Sequence, residues 1–225
     1  MPFHYRLLGR DRMALFSFIQ SLNTSFGISI FEPVASTLAS VNHKKSEKQF
    51  TVGENISENA QLEIQNIIDE LLNGKCSNKD NEVKRIRKSI LKGKMVAKKP
   101  VKVDICIIDN SDTIHLFDIK TAKPNKSNFS DFKRTLLEWI AIYLTDNPNA
   151  HVKSYIAIPY NPYEPKPYVR WTTNKVIDLD RELKVGKDFW DFLGGEGAYE
   201  ELLDCFERVG IELRPEIDAY FEKYK

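Results

Sequence analysis

"VKVDICIIDNSDTIHLFDIK", residues 101–120, decides the fold. Its first nine residues alternate β-branched and polar side chains and read as a strand. "NSD" is a turn, and "TIHLFDIK" returns as a second strand, so the two form an antiparallel hairpin. Side chains two apart on a strand share a face. Asp118 and Lys120 therefore project together, while Ile119 points into the core. Folding the hairpin about Asn110 and Ser111 brings Asp104 within a few ångströms of Asp118.

Outward from the hairpin, "SDFKRTLLEWIAIYLTD" reads as a helix, capped by Ser130, with Phe132, Leu136, Trp139, Ile140 and Tyr143 on one face. "HVKSYIAIPY" is a further strand. The crossover through the helix makes it parallel to the strand ending at Lys120. Before the hairpin, "ISENAQLEIQNIIDELLNG" is the clearest helix, with Ser57 as N-cap and Gly74 at its end. Residues 11–26 read as a helix broken at Gly27, and Pro33 suits the first turn of the next one. Residues 43–55 are polar, with a short strand at "QFTV". The basic segment reads as a helix around 82–92 and a loop to Pro100. Two helices, "AYEELLDCFERVG" and "RPEIDAYFEKY", close the chain. The fold class expected is α/β: a mixed sheet with a catalytic hairpin flanked by helices.

Composition narrows the class. The chain has 225 residues, 42% hydrophobic and 29% charged, as in ordinary globular proteins. No apolar run reaches the roughly 18–20 residues of a membrane span, and the charged N-terminus does not read as a signal peptide. Three widely spaced cysteines suit reduced thiols in a cytoplasm, and the four histidines have no metal-ligand spacing. Residues 75–102 hold eleven Lys/Arg against two acids, leaving −8 on the rest of a chain whose net charge is +1. Such a block suggests an anionic partner, nucleic acid first. The bland alternative is a solvated linker.

Two carboxylates brought together on a buried sheet repel each other unless one is protonated or a cation sits between them. Mg²⁺ suits the set: it prefers oxygen ligands and is commonly held by one or two carboxylates with phosphate and water. A neighbouring lysine can orient water or stabilise phosphate charge. The chemistry that fits Asp104, Asp118 and Lys120 is phosphodiester hydrolysis.

This arrangement resembles the PD-(D/E)XK nuclease core, with "KPVKVD" ending at Asp104 and "FDIK" carrying Asp118 and Lys120. Pro100 lies four residues before Asp104 rather than beside it. The resemblance implies that Asp104, Asp118 and the Ile119 carbonyl bind the metal, with Lys120 near the water. The blocks "LLGRDRMALFSFIQSLNTSFGISIFEPVA", "LFDIKTAKPNKSNFSDFKRTLLEWIA", "AIPYNPYEPKPYVRW" and "GGEGAYEELLDCFERVGIELRPEI" are similar to the TdeIII-type family of type II restriction endonucleases. That implies a restriction-endonuclease-like core over residues 1–225, as one nuclease domain with helical elaborations at both ends. It also implies cleavage of duplex DNA at GGNCC in a cytoplasm, a homodimer matched to a palindromic site, and a companion DNA methyltransferase. Nucleases of this class often add a glutamate from a preceding helix, for which Glu63 and Glu32 are both candidates. The alternatives are a repair or junction-resolving nuclease with the same core, or a non-enzymatic DNA-binding protein.

Phosphate contacts give affinity and base-edge contacts give sequence. Lys123, Lys126, Lys133 and Arg134, just past the catalytic strand, are candidates for the first. Lys166, Arg170 and Asn174, in and after the proline-rich loop, and Arg85 and Arg87 are candidates for the second.

Overall fold

The computed structural model describes residues 2–120, 129–168 and 175–223. Five strands form one sheet in chain order: β1 (Lys45–Ser57), β2 (Met95–Ile108), β3 (Ile114–Ile119), β4 (Val152–Ile158) and β5 (Leu183–Val185). β1, β2 and β3 are antiparallel neighbours, whereas β4 runs parallel to β3 and β5 parallel to β4. The hairpin, the crossover and the mixed α/β sheet are those expected from the sequence.

Helices cover both faces. α1 (Pro2–Leu8), α2 (Arg10–Ser25) and α3 (Phe31–Asn42) precede the sheet. α4 (Glu58–Leu72) and α5 (Lys79–Ser89) lie between β1 and β2, and α6 (Phe129–Asp146) follows β3. α7 (Leu179–Glu182), α8 (Lys187–Gly194), α9 (Ala198–Glu212) and α10 (Arg214–Glu222) complete the described chain. On one face, Ile64, Ile67 and Ile68 of α4 and Leu136, Leu137 and Ile140 of α6 pack with Cys106, Leu116 and Ile156. On the other, Ala35 and Ala39 of α3 and Phe189, Trp190 and Leu193 of α8 pack with Ile105, Ile107, Phe117 and Ala157. The alternation along β2 and β3 thus sorts their side chains between two separate cores.

Four expectations need correction. Gly27 does not end a helix: Phe26–Ile30 form a π-helical turn that joins α2 to α3. β1 is a strand of 13 residues, not a short one at "QFTV". The supposed loop before Pro100 is the first half of β2. Pro100 is tolerated because the ladder shifts register there, between the pairs Gly53↔Val101 and Asn55↔Ala97. Finally, α7, β5 and α8 occupy a stretch read without elements.

Gly53 is required by the packing of α6 on β1. Its φ is +152°, and a Cβ there would lie 2.7 Å from Ile142 Cγ2. Gly53→Ala is expected to lower stability by about 1–3 kcal/mol through overpacking, read from urea unfolding. An unchanged midpoint would show that α6 yields.

Candidate active site

The ladder pairs Cys106 with Leu116 and Ile105 with Phe117. One step further in the same register, Asp104, inside β2, faces Asp118, next to the last residue of β3. By alternation Asp118 lies on the face that carries Leu116, toward α6. Along β2 the alternation breaks at Asp104: Val103 and Cys106 pack in the α6-side core and Ile105 in the α3-side one. The tip is pinned from both sides. Ile119 N donates to Asp104 Oδ2 at 2.7 Å, and Lys120 N donates to Ala157 O of β4 at 2.8 Å. Lys120 Nζ pairs with Asp118 Oδ1 at 2.8 Å and lies 5.4 Å from the centre of the Phe132 ring, in the first turns of α6. Asp118 is only 9% exposed. Burial pushes its carboxyl up to about 6; the Lys120 ammonium opposes the rise and the charge of Asp104 adds to it.

Glu32, in the first turn of α3, approaches the same pair from the other helical layer. Burial raises its carboxyl above the usual range, the Gln49 amide opposes this, and the negative charge of Asp104 contributes to the rise. Gln49 Nε2 donates to Glu32 Oε2 at 2.9 Å. Gln49 has a left-handed backbone, with φ +51°. Among the described residues, no three His, Cys, Asp or Glu side chains close into a metal cage, so Glu32 stands beside the Asp104–Asp118 pair rather than within it.

A largely buried, charge-paired carboxylate dyad across two neighbouring strands suits a nuclease, and comparison with known proteins agrees. The family model described as "Type II restriction endonuclease, HinfI" matches residues 1–210. The chain belongs to the HinfI family of type II restriction endonucleases. It is 28% identical to the type II restriction enzyme HgiEI of Herpetosiphon aurantiacus over 96% of this chain and 79% of that one. HgiCII from the same organism is 25% identical, covering 96% and 80%. MjaII of Methanocaldococcus jannaschii is 22% identical over 93% of this chain and 58% of its own. The type II restriction endonuclease reading of the sequence blocks is borne out, under the HinfI name rather than the TdeIII one. The substrate class of the family is DNA. Among the described residues, no helix is long and apolar enough to cross a membrane.

In this HinfI-family chain the other candidate residues divide. Glu63 is not at the dyad: its Oε1 accepts from Arg85 Nε at 2.5 Å, between α4 and α5. Arg85 also grips Glu70, with contacts of 2.7 and 3.0 Å, so its guanidinium fork is spent on two carboxylates instead of a base. Arg87 donates to the backbone carbonyls of Pro148 and Ala150. Arg134 donates to Gln65 Oε1 at 2.6 Å. Lys166 is exposed, and its carbonyl accepts from Asn161 Nδ2 at 2.7 Å within the proline-rich loop. Lys123, Lys126, Arg170 and Asn174 lie outside the described residues.

Lys133 is the clearest correction. It is fully buried and cannot hold a phosphate. Its Nζ lies 2.5 Å from Glu82 Oε2, 2.6 Å from Glu182 Oε2 and 2.8 Å from Ser77 Oγ. Lys79 Nζ completes the cluster at 2.5 Å from Glu182 Oε1 and 3.1 Å from Ser154 Oγ. Two lysines and two glutamates thus join α5, α6, α7 and β4 inside the protein. Glu182 is held ionised below the usual carboxylate range: burial works against the charge, and Lys79 and Lys133 outweigh it. The cluster fixes the start of α6, and with it Phe132 under Lys120. Sequence reasoning missed it, although Lys133 stands three and four residues before buried Leu136 and Leu137, on the inward side of the helix.

Proposed function

We propose that this chain is a Mg²⁺-dependent type II restriction endonuclease that hydrolyses both strands of duplex DNA at a short palindromic site. GGNCC is the sequence expected from the resemblance of its blocks. The reading is carried by one observation: Asp104 and Asp118 face each other across β2 and β3, at the end of the hairpin away from its turn, with Lys120 bound to Asp118. The donor set fits a hard divalent cation. It offers two carboxylates, one buried enough that its carboxyl is pushed up to about 6, and the carbonyl of Ile119 for the same ion. Mg²⁺ commonly keeps several waters and takes only one or two carboxylates, which suits a dyad without a closed cage.

In this reading Asp104 and Asp118 hold the cation, which when bound would supply Lewis acidity toward the scissile phosphate and its attacking water. Lys120 orients that water and balances charge on the phosphate. Its ammonium is kept in place by Asp118 and by the Phe132 ring. Glu32 supplies an outer carboxylate that accepts hydrogen bonds from water around the dyad. The exposed lysines of residues 75–102 hold the DNA backbone, and exposed Lys166 is a base-edge contact. We further assign residues 1–225 to one nuclease domain, acting as a homodimer with one site per strand, and paired in its system with a DNA methyltransferase that guards the same sequence.

The test is digestion of a fully sequenced duplex DNA by the purified chain, with Mg²⁺ and with a chelator. Discrete fragments that end at GGNCC, and only with Mg²⁺, are expected. Fragments ending at another repeated sequence would overturn the site but not the activity. Nicking confined to junctions or damaged DNA would move the chain to repair, and absence of cleavage with any divalent cation would sink the reading.

A further inference from the structure

On β1, Lys48 pairs with Ile105 and Phe50 with Val103. Gln49 therefore falls opposite Asp104, the strand neighbour on the side away from Asp118. Counted from Glu47, which pairs with Cys106, alternation would send the Gln49 side chain to the α6 face; counted from Phe50, whose partner Val103 packs in the α6-side core, it would send it to the α3 face. The Gln49 amide bonds Glu32, on α3. This break in alternation coincides with the left-handed backbone at Gln49, φ +51°. Residues other than Gly, Asn and Asp rarely enter that region, and where they do the strain tends to serve a site. The same residue marks a change of face along the ladder: Ile105, opposite Lys48, packs in the α3-side core, whereas Val103, opposite Phe50, packs in the α6-side core, with the pairs on both sides still in register.

We infer that Gln49 is a positioning residue: from its left-handed position opposite Asp104, its amide fixes Glu32 beside the Asp104–Asp118 dyad. The inference rests on the reading of Glu32 as the outer carboxylate of the site. An amide is suited to this task. Its N–H orients one Glu32 oxygen without supplying the full positive charge that would neutralise it, and leaves the other oxygen for water near the cation. The ladder explains why this falls to β1. A residue opposite Asp104 neighbours the dyad strand, and at Gln49 it also bonds the first turn of α3, where the charge of Lys48 acts on Glu32 as well.

Full-length Gln49→Gly, Glu32→Ala and the double variant decide the matter, with three readouts: melting temperature, Ca²⁺ affinity by titration calorimetry without DNA, and single-turnover cleavage with Mg²⁺. Glycine enters the left-handed region without steric cost, so Gln49→Gly is expected to keep or raise the melting temperature. It is nonetheless expected to weaken Ca²⁺ binding and cleavage by about tenfold, the scale typical for groups that orient metal ligands. The double variant should be no worse than Glu32→Ala alone, because one residue acts through the other. If Glu32→Ala is impaired while Gln49→Gly matches the parent in Ca²⁺ binding and cleavage, the inference fails and Glu32 keeps its role. Additive losses in the double variant would also overturn it. If both single variants match the parent, the role of Glu32 itself is wrong. A lowered melting temperature for Gln49→Gly would show that the backbone there serves the fold.

Discussion

Asp118→Asn is expected to abolish cleavage while making the metal-free protein more stable. Amide for carboxylate keeps the shape of the strand tip but removes a charge that the cation and Lys120 both need. Loss of a group that only orients a ligand costs about 10–100-fold, so loss of the ligand is expected to exceed a hundredfold. The stability effect runs the other way. The carboxyl of Asp118 is raised from 3.8 to about 6 in the folded chain, by burial, with Lys120 opposing and Asp104 adding. A raised carboxyl means that the native state favours the protonated form. The parent is therefore relatively most stable below about pH 4 and loses stability as the pH climbs through about 6. At about 1.4 kcal/mol per unit, the cost at pH 8 is at most about 3 kcal/mol, with the opposing Lys120 pair already included. Asp118→Asn escapes it. Urea melts in a chelator should show a gain at pH 8 that disappears near pH 4. Ca²⁺ should then stabilise the parent more than the variant. A variant no more stable than the parent at pH 8 would mean that the dyad is solvated and unstrained.

Lys133→Met is expected to destabilise the fold by about 3–5 kcal/mol, the usual consequence of removing one partner from a buried ion pair. Two carboxylates, Glu82 and Glu182, would lose the ammonium that lies 2.5 and 2.6 Å away. Lys79 reaches Glu182, so Glu82 is left worse off. Met matches the stem of lysine closely, which makes the charge the variable that changes. Glu82→Gln in the same background should recover part of the loss, since it removes the orphaned charge. Chemical denaturation of the single and double variants checks both statements. A loss under about 1 kcal/mol for Lys133→Met would mean that water reaches the cluster and screens it. The same experiment separates this lysine from the DNA contacts. Whatever cleavage it loses should follow the folded fraction, not the affinity of folded protein for DNA.

The part of the site written locally was legible. Asp104, Asp118 and Lys120 lie on one hairpin, so alternation and a turn suffice to place them. Ser57 was likewise legible as a cap, and its Oγ accepts from Ala60 N at 3.0 Å. What failed depends on partners distant in sequence. Long polar β1 has little apolar alternation because much of it is solvated, and it becomes a strand only by pairing with β2. Residues 95–99 looked like a basic loop for the same reason, and Pro100 hid the strand because a register shift there spares the missing N–H. Glu63 and Glu32 were equal as sequence candidates. What separates them are distant partners: Arg85 takes Glu63 to the α4–α5 side, and Gln49 of β1 bonds Glu32. Lys133 misled because a cation near a catalytic strand reads as a phosphate ligand until its burial is known.

Those ion pairs also set a ceiling on counterion release. Of the eleven cations between Lys75 and Lys102, Lys79 is buried, while Lys75, Arg85 and Lys98 are matched by Glu70, Glu63 and Glu138. Arg87 is turned onto carbonyls. Lys84, Lys88, Lys92, Lys94, Lys99 and Lys102 remain exposed and outside every salt bridge among the described residues. Each phosphate neutralised on duplex DNA adds about 0.9 to the slope of log affinity against log salt. Six lysines cap this segment's share at about 5, where its bare charge would have allowed about 10. The fold has committed roughly half of the segment's cations to partners of its own, and the remainder is left to the ion atmosphere of DNA.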